Sequence, residues 1–156
     1  MDLDYAGDVS PLETWNNIKS SDDYHLVDCR TNAEWSLVGV PDLDSLGKKV
    51  LFIEWQTFPT MEKNPRFLQE LNEAGVSKTS KIILLCRSGA RSRSAAEFLT
   101  SQGYESCFNC SISSFTILSS NELAPILIIS FISVSVPLTV NVFMSLIIIL
   151  DIFILT

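Results

Sequence analysis

Along the chain, short apolar runs alternate with stretches in which apolar residues recur every three or four positions. The most informative stretch is Lys81 to Gly103, KIILLCRSGARSRSAAEFLTSQG. Its run Ile82 to Leu85 has the length and β-branched character of a buried parallel strand, and it ends at Cys86. A helical pattern follows over 92–102, with Ala95, Ala96, Phe98 and Leu99 on one face and Gly103 where a C-cap belongs. Nearer the start, Ser10-Pro11-Leu12-Glu13 predicts a helix N-terminus: Ser10 as N-cap, Pro11 at the first helical position, Glu13 as the returning carboxylate. Leu12, Trp15 and Ile18 then form its expected buried stripe. His25 to Asp28 reads as a short parallel strand, and Thr31 caps a short helix carrying Glu34 and Trp35. Lys49 to Trp55 reads as the next strand. Asn64-Pro65 opens a helix with Phe67, Leu68, Leu71 and Ala74 on one face and Gly75 as C-cap, and Tyr104 to Asn109 fits a last strand. Strands alternating with helices at this spacing predict an α/β fold, a parallel sheet covered by helices on both faces.

Composition divides the chain in two. Its 156 residues suit one domain with an appendage, residues 1–110 and 111–156. Residues 1–110 carry 11 Lys and Arg against 16 Asp and Glu, a balance of −5 within the chain's −7. That sign argues against nucleic acid as a partner, since phosphate binding needs a basic face. The tail contains no Gly, Lys, Arg, Trp or Tyr, and 28 uncharged residues, 123–150, separate Glu122 from Asp151. A bilayer needs only about 20. Pro125 and Pro137, the lack of flanking basic residues and the lack of a Trp or Tyr belt weigh against a span. The tail therefore has two main readings, a non-homologous, frame-shifted end or a membrane anchor through 123–150; a buried soluble segment ranks third.

Met1 to Val9 contains Asp2, Asp4 and Asp8 and no apolar run, so no export signal is expected there. In that setting Cys29, Cys86, Cys107 and Cys110 read as reduced thiols of a cytoplasmic protein. Cys107-Phe-Asn-Cys110 has the spacing of half a zinc or redox site, but His25 and Cys29 do not supply the second half, so no metal is expected. His25, the sole histidine, stands at a strand entry and reads as structural.

Strand, tight loop and helix together aim successive backbone N–H groups and a helix N-terminus at one point. A cysteine held there has its pKa lowered from ~8.5 to roughly 3.5–7.5, which makes it a thiolate nucleophile at neutral pH. Cys86 occupies that point, with Arg87, Arg91 and Arg93 crowding the same loop. Asp28 and Cys86 are both expected at carboxyl ends of strands, beyond which ligands of open parallel sheets bind.

CRSGARS before AAEFL resembles the active-site loop of single-domain rhodaneses, which carry sulfur as a persulfide on the cysteine. LVDCRTNAEW (Leu26 to Trp35) resembles the same family's strand-end motif of Asp, Arg and Glu-Trp. Gly39-Val40-Pro41 sits where the family usually has a Gly-His-Ile-Pro type segment, without the His. The resemblance covers Val9 to Ser111; Ile112 departs from the family's Ser-Gly-Gly, so the usual closing loop has no counterpart. The resemblance implies a rhodanese-like fold and a sulfurtransferase that moves sulfane sulfur from a donor such as thiosulfate to a thiol or cyanide. It makes Cys86 catalytic and Arg87, Ser88, Gly89, Ala90, Arg91 and Ser92 the substrate cradle, with no cofactor. Asp28, Arg30 and Glu34 become an internal ion-pair network, and Trp55, Gln56 and Phe58 either line the pocket or fill the core. Two alternatives remain. One is a non-catalytic interaction module, tethered by its tail. The other is a cysteine phosphatase, disfavoured because Arg91 follows the cysteine by five positions and Ser92 stands at the sixth.

Overall fold

The computed structural model describes residues 4–111. Both main readings of the tail concern residues outside that range. Among the described residues, no helix is long and apolar enough to cross a membrane.

The chain runs β1 (Gly7–Val9), α1 (Pro11–Ser20), β2 (Tyr24–Asp28), α2 (Asn32–Val38), a 3-10 turn (Asp44–Leu46) and β3 (Val50–Phe52). A two-stranded ribbon follows, β4 (Gln56–Thr57) and β5 (Glu62–Lys63), then α3 (Phe67–Glu73), β6 (Lys81–Cys86), α4 (Ala90–Ser101) and β7 (Ser106–Ser111). The main sheet has five strands in the order β1-β7-β6-β2-β3, and every pairing is parallel. This is the expected α/β architecture.

Strand β6 lies at the centre, and its composition explains why. Successive side chains of a strand point to opposite faces. Ile82, Leu84 and Cys86 join Val27, Cys29, Phe67, Leu71, Ala95 and Leu99 on the side of α3 and α4. Ile83 and Leu85 join Trp15, Ile18, Leu26, Leu43 and Cys110 on the side of α1. A strand buried on both faces must be apolar throughout, and KIILLC is. The same alternation separates Cys107 from Cys110: they belong to opposite faces and cannot serve as half of one metal or redox site.

The capping residues were legible. Ser10 and Glu13 form a reciprocal capping box at α1, and Thr31 and Glu34 form another at α2. Four expectations are corrected. Leu12 is 46% exposed, because the inward stripe is Thr14, Trp15 and Ile18 and Leu12 lies about a third of a turn from it. Ala74 is likewise exposed, past the end of α3. Helix α4 begins at Ala90, not Ser92, because Gly89, at φ +84°, turns the chain into the helix immediately. The last strand starts at Ser106, since the Tyr104 N–H still closes the helix end on the Leu99 carbonyl at 3.1 Å, and it runs on to Ser111. Strand β1 was not foreseen. Gly7 to Val9 is too short and too polar to show in the hydrophobic pattern, and it forms only because β7 offers an edge.

The corrected stripe has a measurable consequence. Ile18→Ala is expected to cost about 2–5 kcal/mol and Leu12→Ala to stay within about 0.5 kcal/mol. Urea unfolding of the two variants checks this, and equal costs would restore the original stripe.

Candidate active site

Cys86 ends β6 with its side chain fully buried under the loop Arg87 to Gly89. Its sulfur accepts the Gly89 N–H at 3.2 Å, the Ser92 N–H at 3.4 Å and the Ser92 hydroxyl at 3.1 Å. The first N–H groups of a helix have no partner within it. At α4 the N-cap is Gly89, which has no side chain to supply one, and the Cys86 sulfur takes that place. The helix is capped by the sulfur of Cys86. A capping sulfur is most favourable when negatively charged.

A second thiol meets the same sulfur. Cys29 directly follows β2, and its N–H donates to the Leu85 carbonyl at 2.9 Å, which brings it up beside Cys86 on the same face. Its thiol donates to the Leu85 carbonyl at 3.1 Å. Its place beside Cys86 is the largest influence lowering the Cys86 pKa. Burial opposes it, and the Ser92 hydroxyl, Ser92 N–H and Gly89 N–H add to it, carrying Cys86 from 9.0 to about 5. The contact with Cys86 and burial push Cys29 the other way, well above its ordinary value. One thiol is ionised and its neighbour holds the proton.

Ser92 has one proton and three acceptors: the sulfur, the Gly89 carbonyl at 3.2 Å and Asn109 Oδ1 at 2.6 Å. The Asn109 amide is fixed from behind, because its Nδ2 donates to Asp8 Oδ1 at 2.7 Å. Asp8 in turn accepts from Tyr5 at 2.9 Å and from Arg93 at 3.1 Å. The short strand β1 thus supplies the outermost link of a chain that ends at Cys86.

The expected network of Asp28, Arg30 and Glu34 splits in two. Asp28 and Arg30 form a buried pair, with Nη2 to Oδ2 at 2.6 Å and Nε to Oδ1 at 2.9 Å, and Arg30 also holds the Gly39 carbonyl at 2.9 Å. Glu34 instead grips Arg91 through both carboxylate oxygens, at 2.6 and 2.7 Å. Arg91 is the main cause that lowers the Glu34 pKa to about 2. The pair locks the start of α4 to the start of α2. Arg93 is bound to Tyr5 and Asp8. Arg87 is therefore the loop cation with no ion-pair partner among the described residues, and it is exposed beside Ser88 and Ala90 at the rim. Gly89 and Ser92 are buried against the sulfur.

Trp55 lies in the core, 5.0 Å from Phe67 between ring centroids, while Phe58 is exposed. His25 is half-buried at the far end of β2, where burial lowers its pKa. Cys29, Asn109, Asp8 and Tyr5 were missed. Cys29 was readable, since it follows Asp28 at the same strand end as Cys86; Asn109 was signalled only by being polar within a strand.

Cys107 and Cys110 are both pushed up to about 11 by burial. A titration followed by ultraviolet thiolate absorbance should therefore show a single step well below pH 9, near pH 5, that Cys86→Ser removes and Ser92→Ala shifts upward. A first thiolate appearing only near pH 9 would contradict this geometry.

Comparison with known proteins agrees with the fold. The family model described as "Rhodanese-like domain" matches residues 10–113. The uncharacterized protein RC0915 of Rickettsia conorii is 41% identical over 104 residues, covering 66% of this chain and 79% of the relative. The uncharacterized protein RP600 of Rickettsia prowazekii is 38% identical over 103 residues, with the same coverage of 66% and 79%. Among solved structures, Rv0390 from M. tuberculosis superposes with a TM-score of 0.61 at 42% identity, over 69% of this chain and 78% of that one. Parallel sheet, cysteine-capped helix and family match converge: this chain belongs to the rhodanese-like domain family.

Proposed function

We propose that the protein is a sulfurtransferase that carries sulfane sulfur on Cys86. The observation that supports this reading best is the Cys86 sulfur at the N-terminus of α4, with two backbone N–H groups and a hydroxyl directed at it. Such a sulfur is a nucleophile without help from a general base.

Thiosulfate serves as the donor in this reading. Its anionic end meets Arg87 and the exposed rim of the loop. The Cys86 thiolate attacks the outer sulfur, the sulfur–sulfur bond of thiosulfate breaks, and sulfite leaves with the bonding pair. The product is a Cys86 persulfide whose charge sits on the new terminal sulfur. The N–H groups that capped the thiolate are then placed to stabilise that charge. Cyanide or a thiolate attacks the terminal sulfur in the second step, leaves as thiocyanate or a persulfide, and returns Cys86 to the thiolate.

The loop length supports sulfur over phosphate. Only three residues separate Cys86 from the first residue of α4, and Arg91, the arginine a phosphate cradle would use, is bound to Glu34.

Incubation with thiosulfate and removal of excess donor should add one sulfur atom to the intact mass. Cyanide should remove it as thiocyanate, and Cys86→Ser should neither load nor turn over. Turnover by Cys86→Ser, or hydrolysis of an aryl phosphate with no sulfur gained, would replace this reading.

A further inference from the structure

The Cys29 thiol takes no step in the mechanism above. Cys29 is fully buried against the reacting sulfur, on a different strand from the loop that cradles the substrate. We infer that Cys29 is an internal acceptor, which attacks the sulfur-loaded Cys86, expels the outer sulfur as hydrosulfide and leaves a Cys29–Cys86 disulfide. The inference rests on the sulfur-transfer reading of Cys86.

Placement comes first. The parallel register pairs Asp28 with Leu85, and the Cys29 N–H continues the ladder onto the Leu85 carbonyl at 2.9 Å. Cys29 therefore stands beside Cys86 on the neighbouring strand, and both face α3 and α4. Neighbouring strands lie about 4.7–4.9 Å apart, inside the roughly 4.4–6.8 Å between Cα atoms that a disulfide requires. The other two thiols fail this test. Cys107 is paired with Ile82, four residues before Cys86, and Cys110 lies on the opposite face.

Direction comes second. The Gly89 and Ser92 donors approach the Cys86 sulfur from the loop and α4, whereas Cys29 approaches from β2. A terminal sulfur held by the loop donors leaves the β2 side of Cys86 Sγ open to Cys29. Disulfide exchange needs the attacking sulfur opposite the leaving one.

Charge supplies the timing. Beside the Cys86 thiolate, Cys29 keeps its proton, because a second anion there would be repelled. Loading moves the negative charge from Sγ to the terminal sulfur, farther from Cys29, so the internal attack becomes available only after the first half-reaction. The step balances. The Cys29 thiol and the Cys86 persulfide anion give the disulfide and hydrosulfide, the Cys29 proton leaving on the sulfide. The outer sulfur gains the electron pair of the broken bond, and the two cysteine sulfurs are oxidised. No outside oxidant enters, and a dithiol reductant restores both thiols. An external acceptor that arrives sooner takes the sulfur instead. Cys29 thus discharges only sulfur that finds no acceptor.

The test uses the full chain and its Cys29→Ser and Cys29→Ala variants, each loaded with thiosulfate until the added sulfur is seen by intact mass, freed of donor and left without acceptor. The native protein is expected to release one equivalent of hydrosulfide. Its mass should fall from one sulfur gained to two hydrogens lost, and a non-reducing digest should yield the peptide pair joined through Cys29 and Cys86. Both variants should keep the added sulfur until cyanide is supplied. The disulfide map of the native protein stands even if one variant folds poorly. A native persulfide as long-lived as that of the variants, or a disulfide lacking Cys29, would overturn the inference while leaving sulfur transfer intact. Failure of all three proteins to load would overturn the sulfur-transfer reading and this step with it.

Discussion

One contact organises this domain: the N-terminus of α4 ends on the sulfur of Cys86. Helix ends leave N–H groups that must find partners, and here the sequence offers no Ser, Thr, Asp or Asn at the N-cap. The sulfur satisfies that need best as an anion, so the fold and the chemistry ask for the same protonation state. Structural necessity favours the thiolate.

The surroundings hold that contact in place from three sides. Glu34 anchors Arg91 and ties α4 to α2. Asp8 and Asn109 fix the partner of Ser92 and tie α4 to the sheet edge. Cys29 flanks the sulfur from the end of β2. Each tie joins elements far apart in sequence, so the loop needs no stiffness of its own. Three small or polar residues suffice between strand and helix. The two flanking arginines, 91 and 93, act as struts, and Arg87 stands exposed at the rim.

Much of this was legible before the structure. The run Ile82 to Leu85, the Ser10 and Glu13 capping box, the Thr31 cap and the polar loop after Cys86 each carry a local physical signal, and together they gave the α/β fold and the place of Cys86 at a strand end. What escaped was non-local. Strand β1 has no hydrophobic pattern and exists through its pairing with β7. The partner of Glu34 lies 57 residues away, and nothing near Glu34 favours Arg91 over Arg30. Cys29 read as one of four reduced thiols until the parallel register set it beside Cys86. Leu12 was misplaced because a single apolar residue in the first turn does not fix the angle of a helix stripe.

In the proposed reading, sulfur passes through Cys86 in two separate steps. Rapid mixing of the protein with thiosulfate, in the absence of any acceptor, tests it most directly by following sulfite. A covalent carrier must release sulfite before an acceptor is present. The account therefore requires a burst of one equivalent of sulfite per Cys86. Sulfite that appears only once cyanide or a thiol is added would mean direct transfer between substrates, and would contradict it.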